Sequence, residues 1–179
     1  RDIGVTAVYV THDQAEAMVL SDRIIVMRDG RIRQIGTPRQ LYDEPADVGV
    51  AQFIGKSNVV DATVVEKRDK LTRVKIEGID GALWCRAPDA AQIGNKGSLS
   101  IRPEGVHLRQ LNGSNALTGC IRSATYLGHM NQYVVELGAA HRLAVENNSG
   151  EVLNVGDKVA VEVDPERCYF ICGQDRTAS

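Results

Sequence analysis

The chain has 179 residues, 43% of them hydrophobic and 25% charged, with a formal net charge of −2. These are ordinary proportions for a globular protein of one or two domains with room for a sizeable core. They exclude a strong basic field for nucleic acid or an anionic bilayer, and no apolar run approaches the ~20 residues of a membrane-spanning helix. From the amino end, residues 5–10 ("VTAVYV") form a short continuous apolar run rich in β-branched side chains. That texture predicts a strand buried on both faces, as in a parallel sheet. "THDQAEAMVLSD" follows, with Thr11 or Asp13 as helix cap, Asp13 and Glu16 at capping-box spacing, and Ala15, Met18 and Val19 as an apolar stripe. "DRIIVMRDGRIRQIG" is a predicted hairpin. Ile24, Val26, Ile32 and Ile35 lie in two runs around Asp29-Gly30, a pair suited to a tight primed turn. "TPRQLYDEP" predicts a helix capped by Thr37, with Pro38 in its first turn and a stop before Pro45. "DVGVAQFIG" predicts another short helix ending at Gly55.

After Lys56 the texture changes. Helical periodicity disappears and short strands recur between turn signals, near 59–67, 71–77, 82–87, 97–102, 117–126, 131–137, 141–146, 158–163 and 168–172. That spacing predicts a small all-β barrel or sandwich. An internal repeat runs through it: Gly94, Lys96, Pro103 and Glu104 recur 62 positions later as Gly156, Lys158, Pro165 and Glu166. The repeated unit is a hairpin, a Gly turn, a strand and a Pro-Glu corner. Proline ends ladder pairing there because it lacks an N–H, and a unit so small must pack on its twin to bury an apolar face. The domains expected are therefore 1–55 and 56–179.

The cysteines Cys85, Cys120, Cys168 and Cys172 make no CxxC pair and the four histidines are scattered, so no metal site is expected. Small apolar core residues in a reducing compartment are the preferred reading of the cysteines. No signal peptide is visible. The first residue is Arg1 rather than Met, and a fragment of a longer protein is expected.

His12 is the sharpest candidate. A histidine just past a predicted buried strand and beside a helix start stands where open α/β sheets bind ligands, and phosphates favour such positions. A capping or purely structural histidine is the commoner outcome of this spacing. The wider text adds a resemblance. From "VYVTHDQAEAM" through "SDRIIVMRDGRI" and "GTPRQLY" to "FIG", residues 8–55 resemble the end of the nucleotide-binding domain of ATP-binding cassette importer ATPases. Beyond it, "IRPEGVHL", "YLGHMNQYVVELG" and "GDKVAVEVDPE" look like the TOBE module that follows that domain in importers for polyamines, ferric iron, oxyanions and sugars.

The resemblance implies an α/β tail of a P-loop ATPase domain over 1–55, followed by an all-β OB-like (TOBE/MOP-like) barrel over 56–179 with an internal duplication. It implies that His12 is the switch histidine, contacting the γ-phosphate of ATP and holding the attacking water in line. It implies ATP and Mg as cofactors of the intact subunit, a homodimer of ATPase subunits, permease subunits as partners, and a peripheral place on the cytoplasmic face of the plasma membrane. No phosphate loop (GxxxxGK followed by Ser or Thr), no "LSGGQ" signature, no acidic strand end like "LLLDEP" and no glutamine loop occurs in these residues. The chain alone is accordingly expected to hydrolyse no ATP and to bind nucleotide no more than very weakly.

The remaining motifs carry less. Glu104 and Glu166 read best as parts of turns, their carboxylates facing solvent or a backbone amide. His107, His129 and His141 lack partner spacing and read as surface or interface residues. Single-strand nucleic-acid binders need a basic groove with stacking aromatics, whereas aromatics are 4% of this chain. Two competing readings remain: a free-standing barrel for oxyanions or small sugars, with turns such as "GNKG" presenting amides, and a structural dimerisation unit. "TYLGHMNQYVVELG" is most similar to the polyamine and iron branch.

Overall fold

A computed structural model describes residues 4–110, 117–138, 140–148 and 152–173. Residues 5–10 form no strand. They are irregular, and Val5, Val8 and Val10 are exposed. A strand exists only through ladder bonds to a neighbour, and among the described residues none pairs with this run. The predicted helix does form: α1, Gln14–Leu20, capped by the Asp13 side chain, which accepts from the N–H groups of Ala15 (2.8 Å) and Glu16 (3.1 Å). The reciprocal half of the capping box does not. The Asp13 N–H donates to the Thr11 hydroxyl (2.9 Å), and Glu16 accepts from the hydroxyls of Tyr9 and Thr11 instead.

The hairpin is β1 (Ile24–Arg28) and β2 (Arg31–Gly36). Asp29 and Gly30 take φ of +54° and +71°, the left-handed pair a primed turn requires. Next come α2 (Pro38–Asp43), with a complete Thr37–Gln40 capping box, and α3 (Val48–Phe53), capped by Asp47. Val26, Leu41, Val50 and Ile54 form a small core, with Met18, Ile24 and Tyr42 packed on it. This is the periodic stripe of each short element turned to one side.

The rest is all-β: β3 (Asn58–Arg68), β4 (Leu71–Ile76), β5 (Ala82–Cys85), β6 (Lys96–Ile101), β7 (Val106–Gln110), β8 (Leu117–Tyr126), β9 (Asn131–Leu137), β10 (His141–Asn147), β11 (Lys158–Val163) and β12 (Cys168–Cys172). Nine of the ten match predicted strands. The tenth, β7, was missing from the strand reading although its repeat twin, β12, was found.

Two antiparallel five-stranded sheets result, ordered β12-β6-β3-β4-β5 and β10-β9-β8-β11-β7. The order explains the duplication. Each sheet takes four strands from one repeat and its fifth from the other, so β7 and β12 are exchanged across the molecule. The first sheet curls closed where the Arg86 N–H donates to the Cys168 carbonyl (2.9 Å) and the Phe170 N–H to the Arg86 carbonyl (2.8 Å).

The repeats agree in detail. In the first, the Val64 N–H donates to the Asn95 carbonyl (2.9 Å) and the Gly94 N–H returns to the Val64 carbonyl (2.8 Å). In the second, Ile121 donates to Asp157 (3.0 Å) and Gly156 to Ile121 (2.9 Å). The ladder shifts register beside both, after Val64 and after Ile121. Gly94 and Gly156 have φ of +89° and +96°, which side-chain-bearing residues rarely adopt. One continuous apolar core, from Val60 to Phe170, joins the two halves.

Candidate functional site

His12 stands exposed in the bend that leads into α1. Its neighbour Asp13 is occupied as the helix cap. Two residues on, Gln14 Oε1 accepts the N–H of Gly55 at 3.2 Å and so ties α1 to the end of the first 55 residues. A nucleotide and its magnesium need several phosphate and metal ligands together, and the described residues around His12 do not bring such a set together. Among the described residues, no group of three or more His, Cys, Asp or Glu side chains could hold a metal ion.

The most organised polar site lies where the first 55 residues meet the barrel. Its centre is Arg102, 3% exposed, just past β6. Arg102 Nη1 donates to the carbonyls of Ala51 (3.1 Å), Ile54 (2.9 Å) and Lys56 (3.0 Å). Nε and Nη2 both donate to the Tyr42 carbonyl, at 3.2 and 2.6 Å. These carbonyls lie at and just beyond the carboxyl ends of α2 and α3, where the last turns lack intrahelical donors and the helix dipole favours a cation. One guanidinium therefore serves two helix ends and the linker. Its carbon lies 3.8 Å from the centroid of the Tyr42 ring, a cation–π contact. Burial pulls the Arg102 pKa down from its ordinary value, opposed by Tyr42, Glu104 and Asp43.

Both Pro-Glu corners belong to this seat. They are single 3-10 turns, Pro103–Gly105 and Pro165–Arg167, joined reciprocally: the Arg102 N–H donates to the Arg167 carbonyl (3.0 Å) and the Asp164 N–H to the Gly105 carbonyl (2.8 Å). Glu104 accepts a 2.6 Å bond from the Tyr42 hydroxyl. Arg86 pairs with Glu44 and approaches Glu166 at 3.8 Å, and Arg167 reaches Asp43 at 3.6 Å. Both corner carboxylates are exposed, as expected, and each also meets a side chain: Glu104 the Tyr42 hydroxyl, Glu166 the Arg86 guanidinium. Desolvation, then the bond to Glu104, pushes the Tyr42 phenol far above its ordinary pKa. A second clasp follows the linker. Asn58 accepts from the Ala144 N–H (2.7 Å) and donates to the Ala144 carbonyl (2.8 Å), while Lys56 pairs with Glu146 at 3.0 Å.

Sequence reasoning missed Arg102, Tyr42 and Asn58. One signal was present: the repeat reads "RPE" in its first copy and "DPE" in its second, and the mismatch falls on Arg102. Of the other histidines, His107 and His129 are exposed, while His141 Nε2 lies 2.6 Å from the Glu77 carbonyl, between the two halves of the barrel. All four cysteines are free. Cys85 and Cys168 are core residues, and burial raises the Cys168 thiol pKa well above its usual value.

The exchanged-strand barrel belongs to a known class. Residues 99–171 match the TOBE domain family. The molybdate-bound crystal structure of the cytoplasmic molybdate-binding protein ModG superposes with a TM-score of 0.53 at 15% identity, over 65% of this chain and 96% of that one. At that identity the likeness is one of fold, an OB-like barrel. The particular relatives come from sequence. The chain is 43% identical over 141 residues to the spermidine/putrescine import ATP-binding protein PotA of Photobacterium profundum, covering 76% of this chain and 37% of that one. It is 40% identical over 169 residues to PotA of Aliivibrio fischeri, covering 90% and 45%. The Escherichia coli protein of the same name is 43% identical over 141 residues. The chain carries a TOBE domain and is, over most of its own length, a homologue of ATP-binding subunits of polyamine importers. It spans less than half the length of the curated relatives it matches.

Proposed function

We propose that the chain is the C-terminal part of the ATP-binding subunit of an ABC importer for polyamines. In this reading residues 1–55 end the nucleotide-binding α/β domain of a P-loop ATPase, and residues 56–179 are a regulatory and dimerisation barrel. The observation that carries it is a match at 40% identity over 90% of the chain. That share exceeds residues 56–179, so the match runs through the linker into the segment that bears His12.

His12 is the switch histidine of this reading, donating toward the γ-phosphate once the rest of the subunit supplies the phosphate loop and the magnesium ligands. Phosphoryl transfer is chiefly positioning and charge stabilisation, so one well-placed donor changes the rate by orders of magnitude. The 179 residues alone supply one such donor and are inactive. The intact subunit works as a homodimer on permease subunits, peripheral at the cytoplasmic face of the plasma membrane; no helix among the described residues is long and apolar enough to cross one.

The test is uptake. Cells deleted for the gene encoding this chain are expected to lose energy-dependent spermidine and putrescine uptake and to recover it on complementation. Loss of uptake of a different cargo would remove the polyamine assignment, and normal uptake of every cargo tried would contradict the importer itself. The alternative, a free-standing oxyanion-binding barrel, has the fold likeness to the molybdate-binding protein in its favour. Calorimetry with molybdate and sulfate decides it.

A further inference from the structure

We propose that Gln14 and Arg102 are positioning residues, holding the start of α1, just after His12, to the barrel through the peptide groups around Gly55. The proposal rests on the reading of His12 given above. The Gly55 N–H is held from one side by Gln14 Oε1 at 3.2 Å. The carbonyls flanking it, Ile54 and Lys56, are held from the other side by Arg102 Nη1 at 2.9 and 3.0 Å. Three consecutive residues are thus clamped between α1 and the barrel corner.

Gly55 itself has little freedom. Its φ is +76°, and a Cβ there would stand 2.8 Å from Cε2 of Tyr42. Arg102 is locked in turn, because its own N–H is bonded to Arg167 in the opposite corner. At the other end, α1 buries no residue completely, and Met18 is its contribution to the small core. Few contacts therefore orient α1, and one of them, Gln14, lies two residues from His12. A displacement of the paired corners moves the Gly55 peptide groups, then Gln14, then the backbone that carries the imidazole. Coupling of this kind runs through contiguous hydrogen-bonded groups on rigid elements. The barrel thereby sets where His12 stands, which gives a regulatory domain a physical handle on turnover.

The test has two arms. In the 179-residue chain, 15N relaxation is measured for α1 with Gln14→Leu, which removes the acceptor, and Gln14→Glu, which keeps one. Order parameters over 14–20 are expected near the rigid value of about 0.85 in the unsubstituted chain and in Gln14→Glu, and below about 0.6 in Gln14→Leu. Arg102→Met is expected to loosen α1 in the same way; should it fail to fold, the Gln14 pair decides alone. In a complete subunit, Gln14→Leu is expected to lower kcat by about tenfold with KM for ATP unchanged, and Gln14→Glu to restore it. An α1 that is already mobile without substitution, or unmoved by Gln14→Leu, overturns the relay. So does an unchanged kcat in an enzyme that His12→Ala inactivates. If His12→Ala leaves turnover intact, the catalytic reading of His12 falls, while the relaxation arm still decides the relay.

Discussion

Arg102 shows how one side chain settles an interface. A guanidinium has five donors in a rigid fork and cannot shed its charge at working pH. Here those donors meet four backbone carbonyls at and just beyond two helix ends, where the last turns lack intrahelical donors. Arg102→Met keeps the volume and removes every donor, leaving buried carbonyls unsatisfied at about 1–3 kcal/mol each where water cannot enter. Chemical denaturation is expected to show a loss of about 3 kcal/mol. A loss below about 1 kcal/mol would mean that water replaces the guanidinium. Gly55→Ala acts on the same joint by a different route, through left-handed strain and the Tyr42 ring, at roughly 1–3 kcal/mol. Tyr42 adds a pH signature. Burial and Glu104 raise its pKa, so the neutral phenol is the form the fold prefers. That contribution is complete below the unfolded value of about 10 and is lost only as pH climbs through the higher folded value. Ultraviolet titration is therefore expected to show Tyr42 still neutral at the ordinary phenol value of about 10, and its midpoint moving down in Glu104→Gln.

At the scale of elements, what was legible followed local chemistry. Thr37 as cap and Pro38 at the helix start read directly from the string, and Gln40 completes the capping box in the structure. Asp29-Gly30 names its own turn. Thr37→Ala is expected to cost about 1 kcal/mol, seen as a lower denaturation midpoint with an unchanged slope. The strand over residues 5–10 failed because an apolar run specifies burial, and burial needs a partner that no local pattern supplies. β7 was missed although its local pattern was present. "VHLRQ" does alternate, Val106 and Leu108 buried and His107 and Arg109 exposed, but it is short, and carrying the repeat to its end onto "CYFIC" marks it as a strand. The exchange of β7 and β12 was invisible because pairing between strands distant in sequence leaves no periodic trace. The seat of α2 was invisible likewise: Tyr42 and Glu104 meet across 62 residues. Of the candidate site, the string singles out His12 as an expectation, whereas the bond from the Gly55 N–H to Gln14 beside it leaves no local trace.

For the whole molecule, the strand exchange carries a consequence for folding. Neither half completes its sheet without a strand from the other, and one apolar core spans both. The barrel is therefore expected to unfold in a single cooperative step. Trp84, the only tryptophan, sits on β5 in the first half, between Arg68 and Arg73, and its fluorescence reports that half. Amide exchange at Val135 on β9 reports the other. Coincident free energies are expected from the two probes, and Val135 protection outlasting the Trp84 transition would separate the halves. In the proposed reading, His12 is the part that reaches toward nucleotide in a larger assembly and the barrel is its base. ATP turnover and nucleotide binding of a complete subunit carrying His12→Ala test that most directly. The account expects binding close to normal with turnover lowered by at least a hundredfold, the order of effect lost with a single well-placed transition-state donor. Hydrolysis at a near-normal rate would contradict it.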